Sequence, residues 1–197
     1  MKYVIIHGSF GSPEDNWFPW LKNKLETDGN KVLAPSFPVD SFEAFTKAGN
    51  ESFEQEQNLE SWRKAFSEQV IPFVRNEPAS YITHSLGPIF LVRMLLEFNL
   101  KAKKSILVAP FYRHLSYNWQ FKKANQSFCD DNFEFKDSAE RLGDSHVLIG
   151  SNDPYVPIEY SKDFAIKTSS TVHIVDNGGH MNSESGFTEF EQLAVLI

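Results

Sequence analysis

A single cysteine, Cys129, stands in a chain of 197 residues. No disulfide can form within the chain, which fits a reducing compartment. Long apolar runs are missing as well. None approaches the roughly 18 residues that a membrane-spanning helix needs. Met1-Lys2 leads straight into a short strand-like run, too short and too polar for a signal peptide. The expectation is a soluble, cytoplasmic protein with no membrane partner. Basic residues are in deficit, with 19 Lys and Arg against 26 Asp and Glu, for a net charge of −7. Such a chain repels nucleic-acid phosphates, so nucleic acid is not expected as a partner either. No His, Cys, Asp or Glu cluster has metal-ligand spacing, so no metal is expected. There is no G-x-G-x-x-G after the first strand and no G-K-[ST] phosphate loop, so no nucleotide cofactor is expected. Internal repeats, low-complexity tracts and linkers are also absent, and residues 1–197 read as one domain.

Apolar residues are plentiful by contrast, and the 18 phenylalanines argue for a packed interior or a greasy pocket. Short apolar, β-branched runs recur at 3–6, 31–34, 79–83, 104–109, 146–150 and 171–175. Continuous apolar runs of this length suit strands covered on both faces, as in a parallel sheet. Between them lie helical patterns. Trp17, Trp20, Leu21 and Leu25 share a face, with Asp15 or Asn16 as a cap. Leu59, Trp62, Phe66, Val70 and Phe73 share another, capped by Asn58 and kinked or ended by Pro72. Further helices are read at 87–98, 156–167 and 186–197. Alternation of this kind makes an α/β protein with a largely parallel sheet of about six strands and helices on both faces. Two stretches, 35–57 and 111–143, are irregular and carry scattered aromatic residues, among them Phe37, Phe45, Phe53, Tyr117 and Phe121. They could line a pocket as its walls, or simply be pinned down by their aromatic side chains.

In open α/β sheets the chemistry lies beyond the carboxyl ends of the strands. Ser85 follows the third run in His84-Ser85-Leu86-Gly87, most of a G-x-S-x-G nucleophile elbow. Thr83 stands where that motif has glycine. It is expected to be buried and hydrogen-bonded, with Ser85 strained at a cost of about 1–3 kcal/mol. Asp153 follows the fifth run in Asn152-Asp153-Pro154. His180 follows the sixth, after Gly178-Gly179, and reads as displayed on a flexible loop. A serine hydroxyl is a poor nucleophile until an imidazole takes its proton, and a carboxylate then orients the imidazole. The order Ser85, Asp153, His180 is that of α/β-hydrolases. Asp176 is the rival acid, although it is cramped so close to His180. The N–H of Leu86 is one expected oxyanion donor. The N–H of Ser9 is the other, with Phe10 as the second choice. His84 reads as structural because consecutive residues at a tight turn point apart, and His7 reads as shaping the first loop.

Taken together, His7-Gly8-Ser9-Phe10-Gly11, Asn16-Trp17-Phe18-Pro19-Trp20-Leu21, His84-Ser85-Leu86-Gly87, Asp153-Pro154-Tyr155-Val156-Pro157 and Gly178-Gly179-His180-Met181-Asn182 resemble the small serine hydrolases related to retinoblastoma-binding serine hydrolase and the bacterial YdeN-like proteins. The resemblance spans nearly the whole chain. It implies a minimal α/β-hydrolase fold, a three-layer α/β/α sandwich. It also implies Ser85 as nucleophile, Asp153 as acid and His180 as base. The implied activity is hydrolysis of a small or medium carboxylic ester, possibly an amide or thioester, through an acyl-enzyme without a cofactor. The family's L-x-C-x-E partner motif is not matched by the sequence around Cys129, so that protein partner is not carried over. The alternative is a non-catalytic, hydrolase-like binding module, against which the three strand-end residues count.

Overall fold

The computed structural model describes residues 1–49, 54–115 and 118–197; Phe53 and Tyr117 lie outside them. Six strands form one sheet: β1 (Lys2–Ile6), β2 (Lys31–Leu33), β3 (Ser80–His84), β4 (Lys104–Val108), β5 (Asp144–Gly150) and β6 (Thr171–Val175). Their spatial order is β2-β1-β3-β4-β5-β6, and every pair is parallel. The order reverses between β1 and β3, so a crevice opens beyond their carboxyl ends.

Strand alternation divides the core in two. Val4, Ile6, Tyr81, Leu107, Val147 and Ile149 face one apolar cluster, built with residues of α3 (Leu59–Val74), α4 (Gly87–Glu97) and α7 (Ile158–Thr168). Tyr3, Ile5, Ile82, Ile106 and Leu148 face the other, covered by α1 (Phe18–Thr27) and α8 (Glu191–Ala194). Adjacent strand side chains point to opposite faces, so a sheet buried on both sides reads as unbroken apolar runs. The fold is a three-layer α/β/α sandwich.

Some local expectations change. The stretch 35–57 contains α2 (Phe42–Ala48), capped by Ser41, whose hydroxyl accepts from Ala44 N at 3.0 Å. The stretch 111–143 contains α5 (Trp119–Asn125) and α6 (Ser138–Leu142). These helices run only two turns or less, too short for an apolar period to show. Asn58 caps α3 in a reciprocal box with Ser61, as expected. Pro72 does not end that helix. The carbonyl it leaves unpaired belongs to the exposed Glu68, where water can serve it. Neither Asp15 nor Asn16 caps α1 with its side chain. Asp15 turns to Ser12 N and Asn16 to Ser183 N. The C-terminal helix shrinks to four residues, with Phe187 and Phe190 ahead of it.

Candidate active site

Ser85 sits on a sharp turn from β3 into α4, at φ 60. A non-glycine residue in this left-handed region carries strain of about 1–3 kcal/mol. Its N–H still extends the ladder to Val108 O at 2.8 Å, so the strain is confined to one residue. The glycines around it are required by β1. A Cβ on Gly8 would lie 2.8 Å from Ser85 Cβ, and one on Gly87 would lie 3.0 Å from Ile6 O. Thr83 is an ordinary strand residue, paired with Ile6 and Leu107. It is buried, but its hydroxyl has no hydrogen-bond partner among the described residues, against expectation. The strand ladder occupies the neighbouring backbone groups, so none turns towards the side chain.

Three strand ends converge on the turn. His180 Nε2 lies 3.1 Å from Ser85 Oγ, and His180 Nδ1 lies 2.7 Å from Asp153 Oδ2. The remaining oxygen of Asp153 accepts from Tyr155 N at 2.9 Å and Val156 N at 3.0 Å. Those bonds hold the carboxylate in one rotamer, aimed at the imidazole. With Nδ1–H given to Asp153, Nε2 is left as the acceptor for the Ser85 hydroxyl. Asp176 is exposed and makes no contact with His180 in the hydrogen-bond network.

His180 is not displayed on a loose loop. It is buried, and its segment is clamped at four successive points. Asn152 Oδ1 accepts from Gly179 N at 2.7 Å, and Ser185 Oγ accepts from His180 N at 3.2 Å. His84 Nε2 donates to His180 O at 2.9 Å, and Trp17 Nε1 donates to Met181 O at 2.9 Å. The loop passes so close to β5 that a Cβ on Gly150 would lie 1.9 Å from Gly179 O. His84, read from the sequence as structural, does hold a structural place and positions His180; Trp17, read only as part of a helix face, is the positioning residue that sequence reasoning missed. The adjacency of His84 to Ser85 was visible. Its bond to a segment 96 residues away was not. Because a carbonyl can only accept, His84 carries a hydrogen on Nε2, and burial keeps the ring neutral. Burial first, and the neighbouring His180 second, push its pKa down to about 3.

The first loop is shaped by His7, as expected. Its Nδ1 donates to Gly8 O at 2.9 Å and its Nε2 accepts from Phe37 N at 3.1 Å. Burial lowers its pKa and keeps it neutral. In a trans peptide the N–H points opposite to the C=O. Turning Gly8 O towards His7 therefore turns Ser9 N–H away from it. Neither Ser9 N nor Leu86 N carries a hydrogen bond among the described residues. Phe10 N, the second choice as an oxyanion donor, is already committed to Gln57 Oε1 at 2.8 Å.

Ser85, His84 and His180 open on a cavity of about 270 Å³, walled also by Phe10, Phe121 and Tyr155. Of the two aromatic stretches, 111–143 reaches the cavity through Leu115, Phe121 and Asn125. No described residue of 35–57 lines it. Phe45 instead packs behind the wall, against Phe10 at 5.6 Å and stacked on Trp119 at 5.9 Å. Phe37 stacks on Trp62 in the core. Cys129 is buried with its thiol pKa pushed up to about 12. Among the described residues, no group of three metal-ligating side chains comes together. No helix among them is long and apolar enough to cross a membrane.

Comparison with known proteins agrees with this architecture. YdeN of Bacillus subtilis (strain 168), named as a hydrolase, is 27% identical over 186 residues, covering 93% of this chain and 87% of YdeN. The crystal structure of the B. subtilis ydeN product superposes with a TM-score of 0.79 at 25% identity, over 99% of this chain and 95% of that one. The meta-cleavage product hydrolase CumD of Pseudomonas fluorescens IP01 shares the fold alone, with a TM-score of 0.66 at 13% identity, over 100% of this chain and 87% of CumD. A family model described as serine hydrolase matches residues 3–197, so the chain belongs to the serine hydrolase family.

Proposed function

We propose that this hydrolase cleaves a small or medium carboxylic ester through a Ser85 acyl-enzyme, with His180 as general base and Asp153 as its orienting acid. The observation that carries the reading is the unbroken relay from Ser85 Oγ to His180 Nε2 at 3.1 Å and from His180 Nδ1 to Asp153 at 2.7 Å. In the first step His180 takes the Ser85 proton as Oγ bonds to the acyl carbon. The carbonyl electron pair moves onto oxygen. It returns as the bond to the alcohol breaks, and His180 hands its proton to the leaving oxygen. A water, deprotonated by His180, then releases the acid by the same path.

The oxyanion formed between those steps needs donors in place before it appears. Leu86 N–H opens α4, where the helix dipole adds partial positive charge. Ser9 N–H is turned away from His7 and has no bonded partner among the described residues. Both are spare, and loss of one such donor costs about 3 kcal/mol of transition-state stabilisation. At about 270 Å³ the cavity falls just below the ligand-site range of roughly 300–1,000 Å³, which favours small acyl groups.

A fluorophosphonate probe tests the reading. Wild type is expected to label, Ser85→Ala is expected not to, and hydrolysis of phenyl butanoate is expected to vanish with the label. Equal silence from both proteins would overturn the enzyme reading in favour of a binding module.

A further inference from the structure

Three aromatic side chains and the imidazole of His180 form a continuous row along one wall of the Ser85 cavity. Phe10 meets Phe121 edge to face, with ring centroids 5.4 Å apart. Phe121 stacks on Tyr155 at 6.1 Å. Tyr155 meets the His180 ring edge to face at 5.1 Å. All three aromatic residues line the cavity, and all are half-buried, so ring surface remains open to a ligand. They arrive from three places: Phe10 from the loop after β1, Phe121 from α5 and Tyr155 from the turn after β5. The acyl-enzyme steps use none of these rings.

The row is held at both ends. Phe45 backs Phe10 at 5.6 Å. The Tyr155 hydroxyl donates to Glu184 Oε2 at 2.6 Å, and Tyr155 N donates to Asp153 Oδ1 at 2.9 Å. Rings fixed in this way meet a ligand without being ordered by it, which spares part of the cost of binding.

The row ends on the base, and that decides which part of an ester meets it. His180 returns its proton to the leaving oxygen, so the alcohol portion begins within hydrogen-bond reach of Nε2. The imidazole stands between two rings. His84, 4.8 Å away on one flank, is buried, whereas Tyr155 on the other is not. The alcohol portion therefore runs along Tyr155 towards Phe121. An aromatic group placed there gains edge-to-face or offset-stacked contacts beyond what its buried area alone supplies. Charge narrows the choice further. Asp15 and Glu184 line the cavity, and no Lys or Arg does so among the described residues. An anionic group would enter against two acids with no cation to receive it.

We propose that Phe121 and Tyr155 form the leaving-group wall of the site, and that it prefers esters of uncharged arylmethyl alcohols to esters of saturated alcohols of the same size. This deepens the acyl-enzyme reading of Ser85 and rests on it.

The test compares kcat/KM within two matched pairs. Benzyl acetate and cyclohexylmethyl acetate differ only in the alcohol. Ethyl phenylacetate and ethyl cyclohexylacetate differ only in the acyl group. Each ratio is measured in wild type, in Phe121→Leu and in Tyr155→Leu. Leucine keeps the wall apolar and removes the ring. Comparing ratios between proteins cancels the intrinsic reactivity of the esters. Loss of one aromatic contact predicts a benzyl-over-cyclohexylmethyl ratio about three- to tenfold higher in wild type than in either variant, with the acyl-pair ratio the same in all three proteins. Equal benzyl ratios in all three would overturn the proposal. So would an acyl-pair ratio that falls as far as the alcohol-pair ratio, since the rings would then not belong to the leaving-group side. Fluorophosphonate labelling of each variant shows that Ser85 is still activated, and if one variant fails to label, the other carries the comparison. Labelled wild-type Ser85 with equal ratios, or with no ester cleaved, removes the leaving-group proposal alone. An unlabelled wild-type Ser85 removes the acyl-enzyme reading and this inference with it.

Discussion

The two sides of the Ser85 cavity are built on opposite plans. On the β5–β6 side the polar groups around His180 are paired. Asp153 serves two backbone amides and the imidazole, and the His180 segment is clamped by Asn152, Ser185, His84 and Trp17. On the β1 side two backbone donors, Ser9 N–H and Leu86 N–H, carry no hydrogen bond among the described residues. The neighbours of these donors are nonetheless tightly bonded, so they are held in place without being consumed. A base must keep one orientation through a reaction cycle, and saturation of its surroundings achieves that. Donors meant for a substrate must stay unsatisfied until it arrives, and their cost is borne by the rest of the fold. On the proposed acyl-enzyme reading, a fully paired side positions and an unpaired side receives.

The strongest way to break this contrast is to spoil the paired side without unfolding it. Asp153→Asn keeps an oxygen for Tyr155 N and Val156 N but presents an NH2 to His180 Nδ1. The imidazole is then forced to carry its hydrogen on Nε2 and cannot take the Ser85 proton. The expected loss in kcat is about 1,000- to 10,000-fold, with the thermal midpoint nearly unchanged. Steady-state rates beside a melting curve check it, and a variant with near-native kcat would show that the orientation of His180 does not depend on Asp153.

Acid attacks the same side through His84. Its folded pKa of about 3 lies below the usual histidine value of about 6.5. The unfolded chain therefore binds a proton that the folded chain refuses. This contribution to stability is complete above about pH 6.5 and is lost as pH falls towards 3. Between pH 7 and pH 5 the expected loss from His84 is about 2 kcal/mol. His84→Gln retains a donor for His180 O and removes the titration. Urea unfolding at both pH values should show a shallower acid dependence in His84→Gln, and parallel slopes would place the acid sensitivity elsewhere.

The smallest effect sharpens the comparison most. Thr83 also has an unpaired buried hydroxyl, but it does not line the cavity. An orphan with no ligand to meet is a pure cost. Thr83→Val should stabilise the protein by about 1 kcal/mol in urea unfolding and leave kcat/KM on phenyl butanoate as it was. Destabilisation in Thr83→Val would mean that its hydroxyl is bonded after all.

Much of this was legible in the chain. The apolar runs marked the six strands; burial on both faces explains β1, β3, β4 and β5, whereas the edge strands β2 and β6 are partly to largely exposed and were marked only by their short apolar runs. Ser85, Asp153 and His180 stood out because strand ends are short and their residues few. His7 was read correctly from its place in the first loop. Helices α2, α5 and α6 were not legible, since two turns or less cannot display a period. The flexible loop expected around His180 came from reading Gly178-Gly179 as freedom. Gly150 shows the other use of glycine, where a Cβ would collide with Gly179 O at 1.9 Å and the backbone must pass close.

The sequence by itself determined the sheet, its two buried faces and the residues delivered to each strand end. Those depend on local periodicity and on chain order, which are written along one dimension. Only the tertiary structure decided which polar groups were left over. Whether the Asn125 amide is spent or spare depends on Phe10, Gln57 and Ser9, brought from distant parts of the chain. Whether His180 is loose or clamped depends on Trp17 and His84. A hydrogen-bond deficit is a property of a closed set of partners, and that set exists only once the chain has folded.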